Sequence, residues 1–259
     1  PDNGVATAIY AACKATVKVG DGKEITLHEE TNYPFEEGIA FTVSTDEKVA
    51  FPFYLRIPSW TQKAEVRVNG KKVSAAPVAG KYLCINREWA NGDRVELTLP
   101  MSLSMRTWQV NKNSVSVDYG PLTLSLKIAE KYVEKDSRET AIGDSKWQKG
   151  ADPQKWPTTE IYPDSPWNYS LVLDKKEPLK NFKVIRKSWP ADNYPFTVAS
   201  VPLEVKAIGR PVPEWKIDET GLCGVLPEED AVKGDKEEIT LIPMGAARLR
   251  ISAFPNTKE

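Results

Sequence analysis

The sequence predicts an all-β protein built from two antiparallel, jelly-roll-like β-sandwich domains. Three observations lead to this prediction: apolar and polar residues alternate with a period of two, turn residues interrupt the alternation about every 8 to 12 residues, and helical periodicity is almost absent. Successive side chains of a strand lie on opposite faces. The alternation therefore indicates strands with one buried and one hydrated face.

The first half of the chain has the more regular pattern. Residues 94–99, Arg-Val-Glu-Leu-Thr-Leu, place three aliphatic side chains on one face and two charges and a threonine on the other. By the same reasoning, strands are predicted at residues 5–10, 14–19, 24–30, 39–44, 49–57, 64–68, 82–86, 94–99, 104–110, 115–119 and 122–128.

Turn residues support these strand limits. Gly20-Asp21-Gly22 and Asn69-Gly70 tolerate the positive φ that tight turns require. The second of these predicts a two-residue hairpin that joins 65–68 to 71–73.

The pattern changes after residue 128, and we place a domain boundary there. Domain I covers residues 1–128, and domain II covers residues 129–259. Residues 130–168 are rich in charge, proline and tryptophan and are predicted to be irregular, which is uncommon over such a length within a compact domain. The strands predicted for the smaller second sandwich are 169–173, 182–187, 203–208, 238–242 and 248–254.

Composition excludes two classes of partner. The chain has 35 basic and 36 acidic residues, and the two signs are interspersed along the sequence. It therefore lacks the positive field that binds nucleic acid. No apolar run reaches the roughly 20 residues of a membrane span. Because the chain begins with proline rather than methionine, we expect it to be part of a longer protein.

No catalytic residue is predicted. Three groups of adjacent carboxylates occur, Glu29-Glu30, Glu36-Glu37 and 228–230, and all are predicted to be hydrated because acidic side chains are mostly exposed. His28 is the single histidine, and its alternation with Ile25 and Leu27 places it on the polar face of a strand. No nucleophile is marked near it.

No metal site or cofactor is predicted for this chain either. Cys13, Cys84 and Cys223 are far apart and odd in number, which fits neither a disulfide framework nor a zinc motif. They are predicted to be small buried apolar residues.

The eight tryptophans are the most suggestive residues for binding. Three of them, Trp147, Trp156 and Trp167, lie in the irregular segment and are candidates for docking onto a neighbouring domain, for local packing or for stacking against a glycan. Those that flank regular strands are predicted to pack in the core: Trp60, Trp89 and Trp108.

Several motifs resemble, in order and spacing, the β-sandwich region of glycoside hydrolase family 127, the β-L-arabinofuranosidase group. Residues 1–128 carry most of the resemblance, and 241–243 with 248–251 resemble the closing strands of that region. The motifs are Leu55-Arg56-Ile57-Pro58-Ser59-Trp60, Val66-Arg67-Val68-Asn69-Gly70, Arg87-Glu88-Trp89 with Gly92-Asp93, Leu99-Pro100-Met101 and Tyr119-Gly120-Pro121-Leu122.

The resemblance implies that a catalytic α/α barrel precedes Pro1. In that family the barrel carries a zinc-bound cysteine nucleophile and a glutamate acid/base, and none of these residues corresponds to a position of this chain. The expected partners are that barrel of the same protein and plant-type glycans. The chain is accordingly expected to be a non-catalytic scaffold; the alternatives are an independent carbohydrate-binding module and a cell-surface structural β-sandwich.

Overall fold

The computed structural model describes residues 2–136, 152, 154–228 and 232–258. Over these residues, regular structure consists of nineteen strands and a short 3-10 helix at Met244–Ala246, so the all-β prediction is confirmed. No helix in the described ranges is long and apolar enough to cross a membrane. The chain forms two compact units, Pro1–Ser104 with Asp118–Leu122 and Met105–Val117 with Thr123–Glu259. The domain boundary at residues 128 and 129 stays a prediction.

The first unit contains a six-stranded and a three-stranded sheet. Its strands are β1 (Val5–Thr7), β2 (Cys13–Val19), β3 (Lys23–Thr31), β4 (Gly38–Ser44), β5 (Val49–Arg56), β6 (Glu65–Val68), β7 (Lys71–Lys72), β8 (Tyr82–Trp89) and β9 (Arg94–Thr98). The larger sheet has the order β2-β3-β4-β9-β6-β7, and the smaller has the order β1-β5-β8. All neighbours are antiparallel except β1 and β5, which are parallel.

One aromatic-rich core lies between these two sheets. Residues of β4 and β5 alternate between buried and less buried, and the buried set meets at the centre. Phe41 and Phe53 pack edge to face with centroids 5.3 Å apart, and Trp89 lies 5.6 Å from Phe51. The Trp89 indole also donates a 3.0 Å hydrogen bond to the Phe51 carbonyl, which satisfies its buried N–H. The core position predicted for Trp89 is thus confirmed.

The hairpin predicted at Asn69-Gly70 is also confirmed. Both residues have positive φ, 51° and 76°, and they connect β6 to β7. The Asn69 side chain donates to the Asp93 carboxylate at 2.7 Å and accepts from the Arg94 amide at 2.8 Å. The turn is therefore tied to the start of β9.

The second unit is built on an eight-stranded sheet. The remaining strands are β10 (Leu103–Trp108), β11 (Ser114–Tyr119), β12 (Leu122–Leu126), β13 (Glu130–Lys135), β14 (Thr158–Pro163), β15 (Tyr169–Leu173), β16 (Lys183–Arg186), β17 (Leu203–Pro211), β18 (Glu237–Pro243) and β19 (Asn256–Lys258). The sheet order is β10-β11-β12-β18-β17-β15-β19, with β16 also paired to β17. Strands β15 and β19 are parallel, whereas β13 and β14 form a separate two-stranded sheet.

The prediction that residues 130–168 are irregular is wrong at Glu130–Lys135 and at Thr158–Pro163. Strands β13 and β14 pair in antiparallel register, from Glu130 opposite Pro163 to Lys135 opposite Thr158. None of the residues of the two strands is fully buried. Because no buried face exists, no apolar alternation marks these strands in the sequence.

The strand predicted at 248–254 is also absent. Only Phe254 forms a bridge there, to Val115. The Ile251 amide instead donates to the Ser125 hydroxyl at 3.0 Å, and the Leu126 amide donates to the Ile251 carbonyl at 2.9 Å. The Ser125 side chain thus takes the place of one backbone partner, and Ile251 and Phe254 are buried without a regular strand.

Candidate functional site

Glu29 departs from the predicted exposure of adjacent carboxylates. It is only 5% exposed, because it continues the buried face that Ile25 and Leu27 start on β3, whereas Glu30 on the opposite face is exposed. Its carboxylate accepts a 3.0 Å hydrogen bond from the Ala11 amide. The prediction that Glu29 is hydrated is therefore wrong.

Burial raises the pKa of Glu29 to about 7, against the opposing hydrogen bonds of the Ala11 amide and the Cys13 thiol. A pKa in this range suits a general acid, but a glycosidase also needs a second carboxyl group roughly 5 to 10 Å away across a substrate cleft. The Glu29 carboxyl bonds instead to the Ala11 amide and the Cys13 thiol. The group is therefore a buried carboxylic acid rather than half of a catalytic pair.

The hydrated face of the six-stranded sheet carries an open groove of about 580 Å³ lined by exposed charges. Arg94 pairs with Glu30 at 3.2 Å and with Glu96 at 3.5 Å, and Arg67 pairs with Glu65 at 3.8 Å. These ion pairs are exposed, which is typical of a solvated strand face.

A buried carboxylate of the second unit is also held by basic groups. Glu204 lies 2.6 Å from the Lys127 ammonium and 2.5 Å from that of Lys187. Burial alone would raise the pKa of Glu204, but the two lysines outweigh it and the net pKa is lowered. A carboxylate held ionised between two cations is a structural ion cluster rather than an acid catalyst.

The histidine and the cysteines form no site. His28 is half-buried on the face of β3 opposite Leu27, as predicted. Cys13, Cys84 and Cys223 are all exposed, so their predicted burial is wrong: they lie at the start of β2, on the outer face of β8 and in a loop. In the part of the chain that the structure describes, no three His, Cys, Asp or Glu side chains are grouped to hold a metal ion.

The three candidate tryptophans for binding or docking have different environments. Trp147 lies outside the described residues. Trp156 is 71% exposed. Trp167 is half-buried and packs edge-on against Trp215, with ring centroids 5.2 Å apart and planes at 65°.

Trp108 is not in a core, contrary to prediction. It is 41% exposed on β10, and the Arg106 guanidinium lies 5.1 Å from its ring centroid. Its indole donates a 2.8 Å hydrogen bond to Ser116. A cation stacked on the ring takes the place of the apolar neighbours that were expected.

Trp167 lines a concave cleft of about 530 Å³ within the second unit, here called the tryptophan cleft. The cleft is bounded by β14, by the loop 217–223 and by the segment 248–251. Apolar side chains contribute much of its lining: Ile128, Ile161, Leu249 and Ile251. A concave, largely apolar lining with a few polar groups is typical of a ligand site.

The loop 217–223 forms one wall of the tryptophan cleft and is hydrogen-bonded internally. One oxygen of Asp218 accepts from the Thr220 hydroxyl at 2.6 Å and from the amides of Thr220 and Leu222 at 2.9 and 3.0 Å. These hydrogen bonds, the Thr220 hydroxyl first, lower the pKa of Asp218. The loop is closed by a bridge between Ile217 and Cys223.

Polar groups line the tryptophan cleft beside the aromatic rings. The Tyr162 hydroxyl donates to the Glu160 carboxylate, which raises the pKa of Tyr162. The Arg250 guanidinium is oriented by a 2.9 Å bond from Nε to the Ala247 carbonyl, and Arg248 lies two residues before it. Neither arginine forms an ion pair with any carboxylate of the described ranges.

Sequence reasoning found one residue of this cleft, Trp167. It missed Tyr162, and it missed Trp215, which does not line the cleft but packs against Trp167 and donates from its buried indole to the Gly224 carbonyl at 3.0 Å. The Ile-Asp-Glu-Thr-Gly run at 217–221 carried a turn signal that could have located the loop.

Comparisons with known proteins agree with this fold. Residues 4–101 match the family model described as the GH127 middle domain of β-L-arabinofuranosidase. A GH127 β-L-arabinofuranosidase from Geobacillus stearothermophilus T6 is 21% identical, with a TM-score of 0.62 over 99% of this chain and 34% of that one. Comparison with curated proteins gave no match.

Two further solved structures have the same fold. One, titled a glycoside hydrolase, is 22% identical with a TM-score of 0.62, and the match covers 99% of this chain and 36% of that one. A GH127 β-arabinofuranosidase is 21% identical with a TM-score of 0.62, covering 99% and 35% of the two chains. This chain thus spans about a third of the length of these structures. The predicted resemblance to the non-catalytic β-sandwich region of glycoside hydrolase family 127 is thereby confirmed.

Proposed function

We propose that the chain is a scaffold that packs against a catalytic α/α barrel of the same protein and helps to shape the mouth of its sugar pocket. The proposal rests on the match of residues 4–101 to a family model described as a middle domain. A middle domain has neighbouring domains on both sides. The solved structures with this fold are about three times as long, which supports the same view.

Exposed apolar side chains on both units are consistent with coverage by a neighbouring domain. Ile9 of the first unit is 80% exposed, and Val225 of the second is 84% exposed. Further large apolar residues that are exposed include Val78, Tyr82, Val110 and Leu222. Covering exposed apolar surface is favourable by about 25 cal/mol per Å².

The chemistry of the longer protein would lie upstream of Pro1. We propose a β-L-arabinofuranosidase-like glycosidase whose cysteine nucleophile and zinc belong to the barrel. The described residues of this chain do not fit a zinc site, because their His, Cys, Asp and Glu side chains form no group of three.

Expression of the whole gene product and of a version that stops before Pro1 tests the scaffold. We expect the whole product to cleave 4-nitrophenyl β-L-arabinofuranoside, and we expect the shortened version to have a lower thermal midpoint and poorer soluble yield. An upstream coding region without a helical barrel would contradict the proposal, as would a shortened version of unchanged stability and activity.

A carbohydrate-binding module is the second candidate function. The tryptophan cleft favours it, since a fixed indole beside polar groups suits a sugar ring. Binding and scaffolding are compatible roles for one accessory region.

A further inference from the structure

We propose that the tryptophan cleft binds an oligosaccharide, with a sugar ring stacked on Trp167 and its hydroxyl or carboxylate groups directed to Arg248 and Arg250. The inference goes beyond the scaffold role, which does not depend on it. A sugar ring presents an apolar C–H face and a polar edge of hydroxyl groups. It therefore needs a flat apolar surface beside planar hydrogen-bond donors, and the cleft contains both.

The aromatic surface is held in place before any ligand binds. Trp215 is fully buried and its indole N–H is fixed on the Gly224 carbonyl at 3.0 Å. Trp167 packs edge-on against it at 5.2 Å. The next residue, Asn168, donates to the carbonyls of Val212 and Trp215 at 3.0 and 3.2 Å, which ties the backbone beside Trp167 to the same wall. Little side-chain entropy is therefore lost on binding.

Polar groups are available where the sugar edge would lie. Arg248 and Arg250 line the cleft, and no carboxylate of the described ranges pairs with either guanidinium. The arginine fork can donate two parallel hydrogen bonds to adjacent hydroxyl groups or to a carboxylate. Glu160 lines the same wall and, while it accepts from Tyr162, has further lone pairs for sugar hydroxyls.

The shape of the cleft favours a small ligand over a docked protein domain. Its volume of about 530 Å³ lies within the usual range for small-molecule sites of about 300 to 1,000 Å³. A domain interface would need a broad surface of about 800 Å² per partner. The loop 217–223, whose backbone and Thr220 hydroxyl donate to Asp218, closes one side of the cleft.

Calorimetric titration of the 259-residue chain tests the site. The probes are oligosaccharides prepared from arabinan, from xylan and from polygalacturonate, because the first two are neutral and the third is acidic. We expect saturable binding of at least one probe at micromolar to millimolar concentration, accompanied by a change in tryptophan fluorescence. Preference for the acidic probe would assign the arginines to a carboxylate, and preference for a neutral probe would assign them to hydroxyl groups.

Two variants and one matched control locate the binding. Trp167→Ala is expected to weaken binding roughly tenfold or more. Arg248→Ala, which removes no described side-chain hydrogen bond, should weaken it several-fold while the unfolding midpoint stays unchanged. The control is Trp156→Ala, because Trp156 is exposed and does not line the cleft. Its affinity should equal that of the unchanged chain.

Absence of saturable binding to all three probes would overturn the proposal. So would an equal loss of affinity in the Trp156 and Trp167 variants, or full affinity in the Arg248 variant. A negative result here leaves the scaffold proposal intact, since that proposal is tested by truncation and not by sugar binding.

Discussion

Glu29 combines a titratable side chain with a core position. It shares the buried face of β3 with Ile25 and Leu27, and its described hydrogen-bond partners are the Ala11 amide and the Cys13 thiol at 3.9 Å. Its raised pKa, about 7 against an ordinary 4.5, means that the folded chain holds this proton at pH values where the unfolded chain releases it. The burial of one carboxyl group thus makes stability depend on pH.

We expect Glu29→Gln to remove part of the loss of stability toward alkaline pH. A group with a raised folded pKa contributes stability that is fully present below its unfolded pKa and is lost as the pH rises through about 7. At pH 8 the variant should therefore have the higher free energy of unfolding, by roughly 1 to 3 kcal/mol. Below about pH 4.5 the two should be nearly equal, as urea titrations at several pH values would measure.

Glu30→Gln is the matched control. Glu30 is the next residue, faces solvent and pairs with Arg94 at 3.2 Å, a surface contact worth about 1 kcal/mol or less. Its pH profile should follow that of the unchanged chain. A Glu29→Gln profile as steep as the wild type between pH 5 and 8 would show that the carboxyl is ionised and hydrated in the folded chain.

The burial of Glu29 could have been predicted from the sequence, whereas the exposure of Trp108 could not. Strict period-two alternation places residue 29 on the buried face of Ile25 and Leu27. The general preference of carboxylates for water predicts the opposite. The exposure of Trp108, by contrast, depends on the stacking of Arg106, a contact that the period of the strand does not encode.

At the scale of elements, the turn between β11 and β12 depends on the absence of a side chain. Gly120 has φ of +55°, and a Cβ atom there would lie 2.6 Å from Cγ and 3.0 Å from Sδ of Met101. We expect Gly120→Ala to lower the free energy of unfolding by about 2 to 4 kcal/mol, because it adds a clash in a packed region to an unfavourable φ. Chemical denaturation would measure the loss.

Gly92→Ala separates the cost of the steric clash from the cost of the positive φ. Gly92 also has positive φ, +84°, but a Cβ atom there would meet nothing within 4 Å. Its cost should be the conformational one alone, about 1 to 2 kcal/mol. Equal losses in the two variants would mean that contact with Met101 does not contribute.

Strands with a buried face were predictable, and strands without a buried face were not. Strands β3, β4, β5 and β9 alternate in burial, and the sequence alternates with them. Strands β13 and β14 pair with each other and bury no face, so nothing in their composition distinguishes them from a loop. The run 248–254 has the opposite property, because it is apolar and partly buried but bonded through Ser125.

At the scale of the whole molecule, local sequence patterns do not predict the tryptophan cleft, because its residues come from distant parts of the chain. Composition singled out Trp167, but Trp215 is 48 residues away in sequence and Arg250 is further still. Their approach depends on the order of strands in the sheet and on the Asp218 loop, which a single sequence does not specify. The motifs of the first unit, in contrast, were sufficient to indicate the family region that the comparisons then matched.

At the same scale, we propose that this chain supports a glycosidase without performing the reaction. Glu29 is a buried carboxylic acid bonded to the Ala11 amide, and Glu204 is held ionised between Lys127 and Lys187, so neither is placed as half of a facing pair of carboxyl groups.

Incubation of the purified 259-residue chain with 4-nitrophenyl β-L-arabinofuranoside, in the presence of zinc and a thiol reductant, tests this claim most directly. We expect release of nitrophenol at the rate of the protein-free blank. Turnover above that blank, if abolished by a single substitution such as Glu29→Gln, would place a catalytic centre within this chain.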